Sequence, residues 1–202
     1  MLGALTRRSR RRPALGVPAG VTLVELMVTL AIVAVLLAIA LPSMRDFVAR
    51  KRLEGIAQEL VTDLRLLKSH QIQNRPNLGT AISFGNNAQK TCYILYVRGG
   101  DTQNCNCAAA DDMICGGANA VGVRPAPIRQ VNIPLETGIQ ITADRTLLHV
   151  VGYNGMPRLN RTLSVALTGT NVGEIRVSTN AAGVPSICSV SGVFGAIARC
   201  DP

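Results

Sequence analysis

Hydrophobic and polar positions divide this chain into three textures. From Val21 to Leu41 the sequence is apolar for 21 residues, and the only charge is Glu25. A helix of that length rises about 31 Å, enough to cross about 30 Å of hydrocarbon. After Pro42 the pattern turns amphipathic. Phe47, Leu53, Ile56, Leu60, Leu64 and Leu67 recur at three- and four-residue spacing, with Arg50, Lys51, Glu54, Glu59, Asp63 and Arg65 between them. The two textures predict one long helix from Val21 to about Arg75. Pro42 either bends or locally melts it, or divides it in two. Asn74-Arg75-Pro76-Asn77 ends it, because the residue before a proline is pushed out of the α region.

From Gly79 onward the period changes to that of strands. The segments 80–84, 91–97, 139–142, 147–151, 163–167 and 174–178 are rich in β-branched and aromatic residues and are separated by turn residues. Gly99 to Ala126 is polar and small-residue-rich, and predicts a long surface loop. The resulting fold class is α+β, a long N-terminal helix packed on an antiparallel β-sheet. The expected organisation is a leader at 1–20, a membrane helix at 21–41, an amphipathic helix at 42–76 and a β-rich domain at 77–202.

Charge refines this picture. The formal net charge of the 202 residues is +9. Arg7, Arg8, Arg10, Arg11 and Arg12 supply five of those charges, so the chain beyond residue 20 carries about +4 (9 − 5). The high pI is therefore concentrated in a short leader and does not by itself indicate nucleic-acid binding. Basic residues flanking an apolar span stay on the cytoplasmic side, which places the C-terminal domain on the other side. An ordinary secretory signal would be cleaved after its apolar core, for example after Ala40. That core is usually 7–15 residues, shorter than this run.

Glu25 is the anomaly. An ionised carboxylate in hydrocarbon costs about 2.5–3.5 kcal/mol on insertion scales, so it normally serves a purpose. Gly20 stands between the basic leader and the apolar run, where a processing site would lie on the cytoplasmic side. The stretch Ala19-Gly20-Val21-Thr22-Leu23-Val24-Glu25-Leu26, with Pro42 beyond it, resembles the class III leader and N-terminal helix of type IV pilins and type II secretion pseudopilins. The resemblance implies that a prepilin peptidase cuts after Gly20 and N-methylates Val21. It implies that Glu25, fifth in the mature chain, pairs with the amine of Val21 on its own chain or a neighbour's and sets assembly register. The family more often begins with phenylalanine or methionine than with valine.

The later sequence resembles the GspH/FimT family of minor pilins and pseudopilins. Val150-Val151-Gly152-Tyr153-Asn154-Gly155-Met156-Pro157 is similar to its aromatic-plus-glycine turn, and Gly195-Ala196-Ile197-Ala198-Arg199-Cys200 to its closing strand. The resemblance implies a single-pass inner-membrane protein with a periplasmic domain. Such a protein joins a type IV pilus or type II secretion pseudopilus near the tip. Its partners would be the prepilin peptidase and the other minor and major subunits. Members that bind DNA carry arginines at positions occupied here by Ala196 and Ala198. Nucleic acid is therefore an alternative partner, with Arg158, Arg161 and Arg199 as its candidate contacts, and is not the favoured one. A plain membrane-anchored periplasmic domain is the other alternative.

Cys92, Cys105, Cys107, Cys115, Cys188 and Cys200 all lie in the C-terminal domain. An even number in a translocated segment reads as disulfides. Cys188 with Cys200 would join two late strands, and the other four would form two bridges around one loop, in an order that the spacing leaves open. The spacing Cys-x12-Cys-x-Cys-x7-Cys lacks the paired knuckles of zinc sites. Asp111-Asp112 lacks the alternating oxygen ligands of a calcium loop. His70 and His149 fit no catalytic spacing. The chain reads as a substrate of an enzyme and not as an enzyme itself, and no cofactor is implied.

Overall fold

The computed structural model describes residues 20–73, 79–99, 104–109, 114–116, 124–153, 156–159, 161–195 and 197–201. The leader at 1–19, the expected helix stop at 74–77, Asp111-Asp112, Asn154-Gly155 and Ala196 lie outside them. So do the side chains at 41–43 and 151–160.

One helix, α1, is assigned without interruption over Leu23–Gln73. Helical assignment continues through Pro42, where local melting or a division into two helices was among the expectations. The chain forms two compact units, one ending at Pro42 and one beginning at Ser43. In the first, no residue of the Leu23–Ala40 window is buried, and the window's mean hydropathy is 2.8.

Among the described residues of the second unit, nine strands make two antiparallel sheets. They are β1 (Thr80–Asn86), β2 (Lys90–Val97), β3 (Ala126–Pro134), β4 (Ile139–Ala143), β5 (Leu147–Tyr153), β6 (Met156–Leu159), β7 (Ser164–Gly169), β8 (Gly173–Thr179) and β9 (Pro185–Ser191). The five-stranded sheet has the order β3-β2-β1-β5-β6, and the four-stranded sheet has the order β4-β7-β8-β9. The α+β pilin-like architecture expected from the sequence is the one observed.

The core explains the amphipathic pattern. Leu53, Ala57, Leu60, Leu64 and Leu67 recur at alternating four- and three-residue steps and are buried, forming a stripe along α1. They share one cluster with Ile82, Tyr93, Leu95, Leu148 and Val150 from the first sheet, and with Val165, Leu167, Ile175 and Val177 from the second. Ile56 only borders this cluster. Phe47, expected in the stripe, is 56% exposed. It lies off the helical face that Leu53 and Ala57 define.

β2 is buried on both faces, which accounts for its nearly continuous apolar sequence. Tyr93 and Leu95 enter the main core. Cys92, Ile94 and Tyr96 form a second cluster with Ala81, Cys105 and Cys107 on the other face. That second face is roofed by the polar segment after Gly99. Cys92 is bonded to Cys107 and Cys105 to Cys115, so the two bridges interleave and staple the segment to the sheet.

At the far end of the fold, Cys188 is bonded to Cys200. The tail makes one parallel bridge, Ser189 to Arg199, beside β9. Its backbone bonds are Ser189 N–H to Ala198 O at 2.8 Å and Cys200 N–H to Ser189 O at 2.9 Å. The expected closing strand is thus a single bridged residue. Gly173 opens β8 at φ 127°, and a Cβ there would lie 2.3 Å from the Ser191 carbonyl oxygen. Only glycine lets β8 and the end of β9 approach this closely.

Candidate processing and assembly segment

Gly20, Val21 and Thr22 precede the helix and are exposed. A Cβ on Gly20 would meet no atom within 4 Å. The fold therefore places no steric demand for glycine here, and any such demand belongs to a molecule that recognises the Gly20–Val21 bond.

Thr22 is the N-cap of α1. Its carbonyl accepts the first helical bond from Leu26 N–H at 3.1 Å. Its Oγ1 accepts from Glu25 N–H at 3.2 Å. That is the first half of a capping box, in which a threonine N-cap serves the amide of the residue three positions on and a glutamate occupies that third position. Glu25 thus sits in the first helical turn, where the positive end of the helix dipole favours an anion. The Thr22-x-x-Glu25 pattern was readable in the sequence as a helix start, and the functional reading of Glu25 passed over it.

Within Leu23–Ala40 the one other polar side chain is Thr29. Its hydroxyl donates to Leu26 O at 2.9 Å, so its polarity is satisfied inside the helix. Glu25 has no such internal outlet for its carboxylate: among the described residues no ion pair involves it. Pro42 lies at the far end of the segment, within the helical assignment.

A different acid has partners within the domain. Asp63, on α1, has no exposed surface. Tyr93 Oη, from β2, donates to Asp63 Oδ2 at 2.8 Å. Arg129, from β3, places Nη1 3.1 Å from Asp63 Oδ1 and pairs through Nη2 with Glu59. The 3.1 Å contact is an ion pair whose angle falls outside hydrogen-bond geometry. Burial raises the Asp63 pKa, while the Tyr93 bond and the Arg129 charge oppose that rise. Tyr93 is pushed up, first by burial and then by its bond to Asp63. This network joins α1 to the first sheet. The sequence reading treated Asp63 only as a polar spacer of the stripe.

Arginines of the β-rich domain lie on several elements. Arg176 pairs with Glu174 at 3.6 Å and Arg145 with Asp144 at 3.9 Å. Arg158 belongs to β6, an edge of the first sheet, and its side chain is outside the described set. Arg199 is bridged beside β9, an edge of the second sheet. Arg161 is exposed between β6 and β7. Among the described residues no group of three histidine, cysteine or acidic side chains is placed to hold a metal ion.

With this geometry in place, comparison with known proteins singles out the same segment. Residues 18–41 match the family described as the prokaryotic N-terminal methylation motif. Neither the curated proteins nor the solved structures offer a match to this chain. The motif and the apolar helix support a type IV pilin-like N-terminal segment, and an α+β domain follows it.

Proposed function

We propose that this chain is a minor pilin or pseudopilin of the GspH/FimT kind, a structural subunit of a type IV pilus or a type II secretion pseudopilus. The observation that carries the reading is the bare apolar helix Leu23–Ala40, with one carboxylate in its first turn and an open Gly20–Val21 bond before it. A prepilin peptidase cuts that bond and methylates the new amine of Val21. The subunit then waits in the inner membrane with its domain in the periplasm. On assembly the apolar helix leaves lipid for a bundle of like helices, in which Glu25 pairs with a Val21 amine. An unpaired charge buried in such a bundle costs several kcal/mol, so the pair sets axial register. Placement in the tip complex and partnership with other minor and major subunits rest on the family resemblance.

Mass spectrometry of the protein from its native membrane tests the processing step. The expected chain begins at N-methylated Val21 and gains two hydrogens per bridge on reduction of Cys92–Cys107, Cys105–Cys115 and Cys188–Cys200. A chain beginning after Ala40 would mean a soluble exported domain and would end the filament reading. An intact Met1 start would reduce the segment to a plain anchor.

A further inference from the structure

The stretch directly beyond the apolar window combines two properties that a soluble surface helix avoids. Met44, Phe47 and Val48 are 61%, 56% and 48% exposed. Arg45, Lys51 and Arg52 are exposed beside them, and Arg50 is partly buried. Residues 44–52 carry four cations against one acid, Asp46. At 100° per residue, Met44, Val48, Arg52 and Arg45 share one face and Phe47 and Lys51 border it. Leu53 and Ala57 leave from the other side to enter the core.

The cations differ in what already satisfies them. Lys51 is committed: its Nζ lies 2.7 Å from Glu54 and 5.9 Å from the Phe47 ring centroid. No ion pair to Arg45, Arg50 or Arg52 occurs among the described residues. The Arg50 Nε–H is enclosed and has no acceptor.

Helical path length says what this face would meet. The apolar run ends at Leu41 and Arg45 is the first charged residue after it, so a span that ends there leaves Arg45 at the edge of the hydrocarbon. Phe47 and Val48 then fall in the interface. Arg50, Lys51 and Arg52 fall about 5–10 Å further on, at the level of the headgroups. Side chains on a helix lean toward its N-terminus, here back toward the bilayer.

We propose that residues 44–52 form a headgroup-docking collar. Met44, Phe47 and Val48 sink into the interface, while Arg45 and Arg52 bind the phosphates of anionic phospholipids. The collar gives the unassembled subunit a preference for an anionic lipid neighbourhood. This inference rests on the reading of Leu23–Ala40 as a membrane span.

The test is reconstitution of the full chain in phosphatidylcholine vesicles, with spin-labelled phosphatidylglycerol or spin-labelled phosphatidylcholine as the probe. The immobilised fraction reports lipid preference. Phosphatidylglycerol is expected to be favoured by at least about fivefold, the factor that one arginine near an anionic surface is worth. The preference should shrink in high salt and vanish in the double variant Arg45→Gln/Arg52→Gln. Asp46→Asn should strengthen it. Equal association of the two lipids with the unmodified chain would overturn the proposal, as would a preference that survives in the double variant. If an alkaline carbonate wash strips the unmodified chain from the vesicles, the membrane reading fails and the collar fails with it. Retention without lipid preference refutes the collar alone.

Discussion

Two acids on one helix are treated in opposite ways. Asp63 lies at the centre of the second unit, and the chain supplies its partners: Tyr93 from β2 and Arg129 from β3. Glu25 lies in the first unit, where no residue of the apolar window is buried, and among the described residues its one side-chain partner is the Thr22 hydroxyl that caps its backbone N–H. A buried charge with internal partners belongs to folding. A charge on an apolar helix without them belongs to whatever covers that helix later. The difference separates the part of α1 that packs into the core of the second unit from the part that has no cover among the described residues.

The largest effect that would sharpen this contrast is at Glu25. Glu25→Leu should leave membrane insertion and domain folding intact yet abolish incorporation into filaments, because a pairing worth several kcal/mol is lost only on assembly. Shearing filaments from cells and blotting for the subunit measures this. Normal incorporation would mean that Glu25 is merely tolerated in the first turn. Next is the stripe. Leu60→Ala removes a fully buried side chain at the helix–sheet junction and should cost about 2–5 kcal/mol in chemical denaturation of the full chain in micelles.

Tyr93→Phe is third. It strips Asp63 of its hydrogen-bond donor inside the core and should cost about 1–3 kcal/mol. A neutral result would show that Arg129 alone satisfies the carboxylate.

The smallest effect is a pH dependence with an unusual sign. Burial holds the Asp63 pKa above its unfolded value of 3.8. The native state therefore binds this proton more tightly than the unfolded chain does. The resulting stabilisation is fully present below the unfolded value and is lost as pH rises through the folded one. Asp63→Asn should flatten that decline when unfolding is followed from acid to neutral pH. An unchanged profile would assign the decline to other groups.

Much of the fold was legible because burial leaves a dense mark. β2 is apolar on both faces and β7 and β8 alternate cleanly, so each could be read from composition and period. Two strands, β3 and β6, were passed over, and β9 was expected only as the strand that carries Cys188; each has a physical reason. β3 reads Ala-Pro-Ile-Arg-Gln-Val-Asn-Ile-Pro: it is an edge strand, mostly exposed, with a proline near each end. β6 is four residues long and contains Pro157. β9 is three serines, a proline and a cysteine around Ile187 and Val190.

The site divides along the same line. Gly20, Val21 and Glu25 stand out locally, because a charge and a glycine interrupt otherwise uniform textures. The Asp63–Tyr93–Arg129 network joins residues 30 and more positions apart in the chain, and no local period announces it. Phe47 was drawn into the stripe because it is aromatic, although its angular position places it outside.

The tail beside β9 has a consequence for life in a crowd. β9 is the last strand of its sheet, and an open strand edge is a template on which identical chains can add to one another. By tying Cys200 to Cys188 and laying Arg199 against Ser189, the chain occupies part of that edge with its own residues. The bridge acts as a doorstop, narrowing the edge on which a second copy of the sheet could add.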